Sequence, residues 1–176
     1  RKRDGSTRTL YSPVPKLMGV QRWLLANVLT GLTIHDRTFA YRKQRSATEC
    51  AREHVGAQWL VKMDLHDFFG TIQESRIYDV IHAMGYPKLV SFEMARICTR
   101  PRLSLPPRIG IDGRILEAYG SRRRGVLPQG APTSGALANA VAFGLDERLE
   151  ALALHYNLVY TRYSDDITLS SADAFD

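Results

Sequence analysis

The sequence has little cysteine, no long apolar run and no internal repeat, and each absence removes a class of protein. Cys50 and Cys98 are the only cysteines in 176 residues, without C-x-x-C spacing, and the five histidines are scattered rather than paired at ligand distances. Neither a disulfide framework nor a zinc site is indicated, and both thiols are expected to be buried and reduced, as in a cytosolic protein. No apolar stretch approaches the roughly 20 residues that cross a bilayer, so no membrane partner is expected. The opening RKRDGSTR is basic but leads into no apolar signal core, and so does not look like a secretory leader. Without a repeat or a low-complexity tract, the chain reads as a succession of helices and strands in one compact domain.

What is present is an ordinary apolar content of 44%, both signs of charge, and a net charge of +6. Arginine concentrates at residues 1–8 and at Arg122, Arg123 and Arg124. Clustered cations of this kind gain affinity by releasing counterions from phosphates, which makes a polyanionic partner a natural expectation.

The order of elements follows from periodicity. The segment TLYSPVP is broken by proline and extended; GVQRWLLANVLTGL then places Val20, Leu24, Leu25 and Val28 on one helical stripe, expected to face inward. Ser46 and Glu49 form an S-x-x-E capping box at the start of a helix that should reach His54. QWLVKMDL is expected to be one buried strand ending at Asp64. Helices are predicted over 75–84 and 88–99, then a loop or hairpin rich in proline, glycine and arginine over 101–125. Leu137, Val141, Leu145, Leu149 and Leu152 predict one long helix over 134–156. LVYTRYSDDITLS closes the pattern as two strand-like runs joined by YSDD.

The chemistry is expected at the acidic residues that end these strands. Asp165 and Asp166 are adjacent carboxylates in a hairpin turn, and they repel each other unless a cation or a proton compensates them. Taken alone, an Asp-Asp pair is most often a solvated turn. With a third carboxylate at another strand end, Asp64, the set would suit magnesium, which takes oxygen ligands and completes its shell with waters and substrate phosphates. Three such groups can hold two ions for phosphoryl transfer.

KMDLHDFF, GVLPQGAPTS, LAN and YTRYSDD, in this order, resemble the successive polymerase motifs of reverse transcriptases, and the set covers most of the chain. R-T-L-x-x-P, VQRW, the Ala51-x-x-His54 element and YTRYSDD look most like bacterial retron reverse transcriptases. The resemblance implies an α+β fold, the fingers and palm of a right-hand polymerase, with helices packed on an antiparallel palm sheet that carries the catalytic hairpin. Residues 1–57 would be the fingers portion and 58–176 the palm, with an interleaved fingers segment and an insertion near 101–125. No thumb is expected within these 176 residues, and the sequence is expected to be a piece of a longer polypeptide or to have the rest supplied separately.

Carried over by position, Asp64, Asp165 and Asp166 are the expected catalytic and metal-binding residues, for two magnesium ions with manganese as a substitute. Asp165 is the expected direct ligand, with Asp166 acting partly through water. Phe69 matches the gate against a ribose 2′-hydroxyl, with a core phenylalanine as the plainer reading. Gln129 and Gly130 match the loop against template and incoming nucleotide, where glycine lets backbone approach closely. Arg8, Lys16 and Arg45 are candidates for the triphosphate. Tyr163, Arg122, Arg123 and Arg124 are candidates for primer and template. The sequence departs from the resembled pattern at Met18, Cys50, Gly70, Gly135 and Ser164, none of them a metal ligand. The implied partners are a structured noncoding RNA as template and primer, dNTPs, the RNA–DNA duplex and a companion effector protein in phage defence, in a bacterial cytoplasm. Two other readings stand beside this one: a non-catalytic RNA-binding scaffold with a polymerase-like fold, and a reverse transcriptase of the group II intron, diversity-generating or defence type.

Overall fold

A computed structural model describes residues 10–101 and 125–173. Arg8, Arg122, Arg123, Arg124 and the interior of the 101–125 segment lie outside the described residues.

Helix α1, Pro15–Asn27, begins with proline in its first turn, where the missing N–H costs no hydrogen bond. Its buried residues are Gln21 and Leu24 rather than the expected full apolar stripe, and Val20 is exposed. The cause is polar: Gln21 is buried because its Nε2 donates at 2.8 Å to the carbonyl of Ile97. That carbonyl lies in the last turn of a facing helix, where helical partners run out. Helix α2, Ala47–Arg52, starts from the expected capping box, with Glu49 N–H donating to Ser46 Oγ at 3.2 Å. It ends two residues short of His54.

Strand β1, Trp59–Asp64, is followed by the short helix α3, Phe68–Thr71, and by α4, Glu74–Ala83, and α5, Lys88–Cys98. The last two match the helices read from the sequence to within a residue. Ile77, Ile81, Ala95 and Cys98 are fully buried between them, and Phe68 and Phe69 close the same core. Burial pushes the Cys98 thiol up to about 11, and Cys50 is raised for the same reason, so both stay protonated and unpaired as expected. The 101–125 segment is closed at its base by β2, Arg100–Pro101, paired antiparallel with β3, Gly125–Val126.

The predicted long helix is two: α6, Ser134–Val141, and α7, Phe143–His155, broken at Ala142. No proline marks the break. The bend directs Asn139 of α6 and Asp146 of α7 at one buried arginine, Arg162, and the inner stripe of α7 runs through Asp146, Leu149 and Ala153. Leu145 and Leu152, expected inside, are exposed.

Strands β4, Val159–Tyr163, and β5, Asp166–Ser171, complete an antiparallel sheet of order β1-β5-β4. The architecture is therefore α+β with an antiparallel sheet. β1 is not the buried strand expected: it lies at the sheet edge, and Leu60, Val61 and Met63 are exposed. Its apolar residues satisfy strand propensity without being covered among the described residues.

His54 fastens α2 to this sheet. One ring nitrogen lies 2.6 Å from Ser170 Oγ and the other 2.7 Å from Thr161 Oγ1, and burial holds its pKa below the ordinary 6.5. The unfolded chain therefore takes up a proton at a pH where the folded one does not. The stability involved is present above about pH 6.5 and is lost as the pH falls from the unfolded value towards the folded one. The thermal midpoint should drop between about pH 7 and about pH 5, and His54→Gln should flatten that slope. An unchanged slope in the variant would place the acid sensitivity elsewhere.

Candidate active site

The sheet register decides where the acidic residues meet. Asp64, the last residue of β1, is the direct partner of Asp166, the first of β5, and opposed residues of an antiparallel ladder project from one face. Ser164 and Asp165 form the two-residue turn between β4 and β5, with Ser164 at φ 62. A further hydrogen bond, Leu65 N–H to the carbonyl of Asp165 at 2.9 Å, holds that turn against the chain leaving β1. Asp64 and the adjacent pair Asp165 and Asp166, about a hundred residues later in sequence, thus share one end of one sheet.

Like charges placed opposite each other across a ladder are unfavourable. Lys62, two residues before Asp64, brings its ammonium to 3.7 Å from Asp166 Oδ1, with both groups about half exposed. The all-carboxylate donor set has the hard-oxygen chemistry of a magnesium site. Among the described residues no three His, Cys, Asp or Glu side chains are gathered closely enough to hold a metal as they stand. The fit therefore lies in donor type and register, with waters and substrate oxygens left to complete a shell.

Beneath the turn lies a buried ionic network that periodicity does not announce. Arg162 and Asp146 are both wholly inaccessible. Arg162 Nε and Nη2 donate to the two oxygens of Asp146, each at 2.7 Å, a bidentate pairing. Tyr160 donates to Asp146 Oδ1 at 2.6 Å and Thr38 to Oδ2 at 3.1 Å. Burial, with these bonds to Asp146, drives the Tyr160 phenol far above its usual range and keeps it a donor. The remaining Arg162 nitrogen, Nη1, donates to Asn139 Oδ1 at 3.2 Å and to the carbonyl of Ser164 at 2.8 Å. A buried guanidinium thus supports the turn from below. One signal for it existed: Tyr160 and Arg162 share a strand face by alternation, so a buried Tyr160 implies a buried Arg162.

A cleft of about 450 Å³ is lined by Phe69, Tyr41, Gln129, Gly130 and Gly135 among others, and the Tyr41 hydroxyl reaches from it to Ser164, the neighbour of Asp165. Phe69 is at once core and wall, packed edge-on against Phe68 at 5.5 Å and Tyr41 at 6.1 Å. Gly130 has φ +109, a conformation that side chains rarely adopt, and it lies over the backbone of Tyr11. Tyr11 N–H donates to the carbonyl of Gln129 at 2.8 Å, so the extended segment before α1 docks on this loop. Ser134 Oγ, donating to the carbonyl of Pro128 at 2.6 Å, turns the loop back on itself.

The other expected residues are placed as follows. Lys16 is exposed in the first turn of α1 and does not line this cleft. Arg45 stacks on Phe39 at 4.9 Å and lines another cleft, of about 510 Å³, with His35, Arg37 and Glu150. Tyr163 is the exposed partner of Asp166 across the hairpin. Tyr41, Lys62, Asn139, Asp146 and Arg162 are contributions that sequence reasoning did not single out.

Residues 1–174 match the family described as Reverse transcriptase (RNA-dependent DNA polymerase). Retron Mx162 reverse transcriptase of Myxococcus xanthus is 39% identical over 170 residues, covering 96% of this chain and 34% of the relative. Retron Ec86 reverse transcriptase of Escherichia coli is 34% identical over 164 residues, covering 93% and 44% respectively. A third relative, Retron Mx65 reverse transcriptase of Myxococcus xanthus, is 36% identical over 172 residues, covering 98% and 39%. The chain spans between a third and a half of the length of these relatives.

Proposed function

The chain belongs to the reverse transcriptase family and is similar to its bacterial retron-type members; from that premise we propose that it carries the nucleotide-adding centre of an RNA-directed DNA polymerase. The observation that supports this most is the register that sets Asp64 against Asp166, with Asp165 in the adjoining turn. On this reading residues 1–57 form the fingers portion and 58–176 the palm with an interleaved fingers segment, and the thumb lies elsewhere in the longer protein.

Asp64, Asp165 and Asp166 are the residues that would hold two magnesium ions, or manganese in their place. Bound there, such ions supply charge neutralisation to the phosphate oxygens and acidify an attacking hydroxyl. The reaction is attack of a primer hydroxyl on the α-phosphate of a dNTP, forming a phosphodiester bond and releasing pyrophosphate. The protein's part is to position the reactants and set the local field. Phe69 walls the sugar side of the cleft, where its bulk opposes a 2′-hydroxyl. Gln129 and Gly130 present the loop on which template and nucleotide pack, a loop whose shape depends on the positive φ that Gly130 adopts. Tyr163 supports the primer beside Asp166. Arg8, Lys16 and Arg45 are proposed for the triphosphate, Lys16 and Arg45 from outside the lining of this cleft, and Arg122, Arg123 and Arg124 for template. The partners would be a structured noncoding RNA serving as template and primer, and an effector protein in phage defence.

The test uses the intact polypeptide that contains this segment. Incorporation of dNTPs on an RNA template should require a divalent ion, and nucleic acid recovered with the protein should contain a branched RNA–DNA molecule. Salt-sensitive RNA binding with no ion-dependent synthesis would instead establish a scaffold. Unbranched products copied from other RNAs would replace the retron assignment while keeping the polymerase.

A further inference from the structure

We propose that Tyr41 is a positioning residue of the nucleotide site, joining the wall of the cleft to the turn that carries Asp165. The inference rests on the polymerase reading above and deepens it.

Three observations converge on this side chain. Its ring lines the cleft and meets Phe69 edge-on at 6.1 Å, while about half of its surface stays open. Its phenolic oxygen lies 3.1 Å from Ser164 Oγ, a hydrogen bond between residues 123 positions apart. Gly135, in the first turn of α6, leaves room for it: a Cβ there would stand 2.8 Å from the Tyr41 Cβ and would collide with the ring. Glycine is a poor helix residue, so its place here has a packing reason.

The backbone is arranged to present the ring. Tyr41 has φ 59, a left-handed conformation unfavourable for a residue with a Cβ, and it persists only where the surroundings fix it. Those surroundings are visible. Asn139 Nδ2 donates to the carbonyl of Ala40 at 2.8 Å, immediately before Tyr41. Arg42, immediately after it, donates from Nη1 to the carbonyls of His35 at 3.0 Å and Thr38 at 3.1 Å. Ser164 is left-handed as well, and its carbonyl is held by Arg162. Ser164 is therefore fastened on two sides, by the buried guanidinium and by Tyr41, beside the Leu65 bond that holds Asp165.

Anything that enters the cleft beside Phe69 meets the ring whose hydroxyl fixes Ser164. Occupancy of the nucleotide site and placement of the Asp165 turn are thereby coupled through one side chain, and the coupling needs the hydroxyl as well as the ring.

Tyr41→Phe, Ser164→Ala and the double variant test this in the intact polypeptide, by amide hydrogen exchange over residues 163–166 without metal and by single-turnover incorporation. One neutral hydrogen bond corresponds to about three- to tenfold. Each single variant should speed exchange at the turn by about that factor and lower the maximal rate similarly, with KM for dNTP little changed. The double variant should be no worse than either single one, because both remove the same bond. Unchanged exchange in Tyr41→Phe, or additive losses in the double variant, would overturn the inference while leaving the polymerase reading intact. A wild type that incorporates no nucleotide would instead bring down the polymerase reading, and this inference with it.

Discussion

Replacing Asp165 by alanine should abolish nucleotide incorporation by the intact polypeptide while leaving its RNA binding largely in place. The expected loss is at least about a thousandfold in rate, on the order of 4 kcal/mol of transition-state stabilisation. Asp165 lies in a two-residue turn and is only partly buried, so the stability cost should be smaller than the loss of activity. Its backbone carbonyl, which accepts from Leu65, survives the substitution. What is lost is a charge beside the facing pair Asp64 and Asp166. Asp165→Asn sharpens the test, because it keeps the shape and removes the charge. Primer extension followed beside a salt titration of RNA binding reads both quantities, and incorporation equal to wild type would reject the assignment of these carboxylates.

The second large effect concerns stability. Asp146→Ala should cost about 3–5 kcal/mol, because it strands the buried Arg162 guanidinium without its counter-charge. Against a usual total of about 5–15 kcal/mol, that would leave the domain near its unfolding threshold at ordinary temperatures. Urea denaturation checks it, and a loss below about 1 kcal/mol would mean that water reaches the site and compensates the charge. A paired replacement, Asp146→Leu with Arg162→Met, separates stability from function. Apolar residues of similar volume often restore a buried ion pair's contribution to folding. The double variant should therefore fold yet polymerise slowly, since nothing then holds the carbonyl of Ser164.

The contrast between these two sites explains what sequence could tell. The meeting of the carboxylates was legible because one ends a strand and two sit at a hairpin turn, positions that an antiparallel sheet brings to a common end. Helices α4 and α5 were legible for a similar reason, their apolar spacing being clean. The break at Ala142 was not, because alanine favours helix and the apolar period runs through it; what bends the chain is the convergence of Asn139 and Asp146 on Arg162. Polar residues drawn from α6, α7, β4 and the segment at Thr38 leave no period to detect. The departures at Gly135 and Ser164 were visible as departures, but the tyrosine ring that both touch came from a loop with no pattern of its own. β1 shows the opposite failure, in which strand propensity was right and burial wrong, since propensity does not say whether a strand is central or at an edge.

That edge has a consequence for handling the protein. A strand with Leu60, Val61 and Met63 outward is a template for zippering to another copy, and charged side chains are the usual insulation. Within Trp59–Asp64 the sole cation is Lys62, the same residue whose ammonium stands beside Asp166. Insulation of the edge and compensation of the carboxylate end of the sheet therefore draw on the same amine. A Lys62 replacement chosen to probe chemistry should be watched first by light scattering, lest precipitation be read as inactivity.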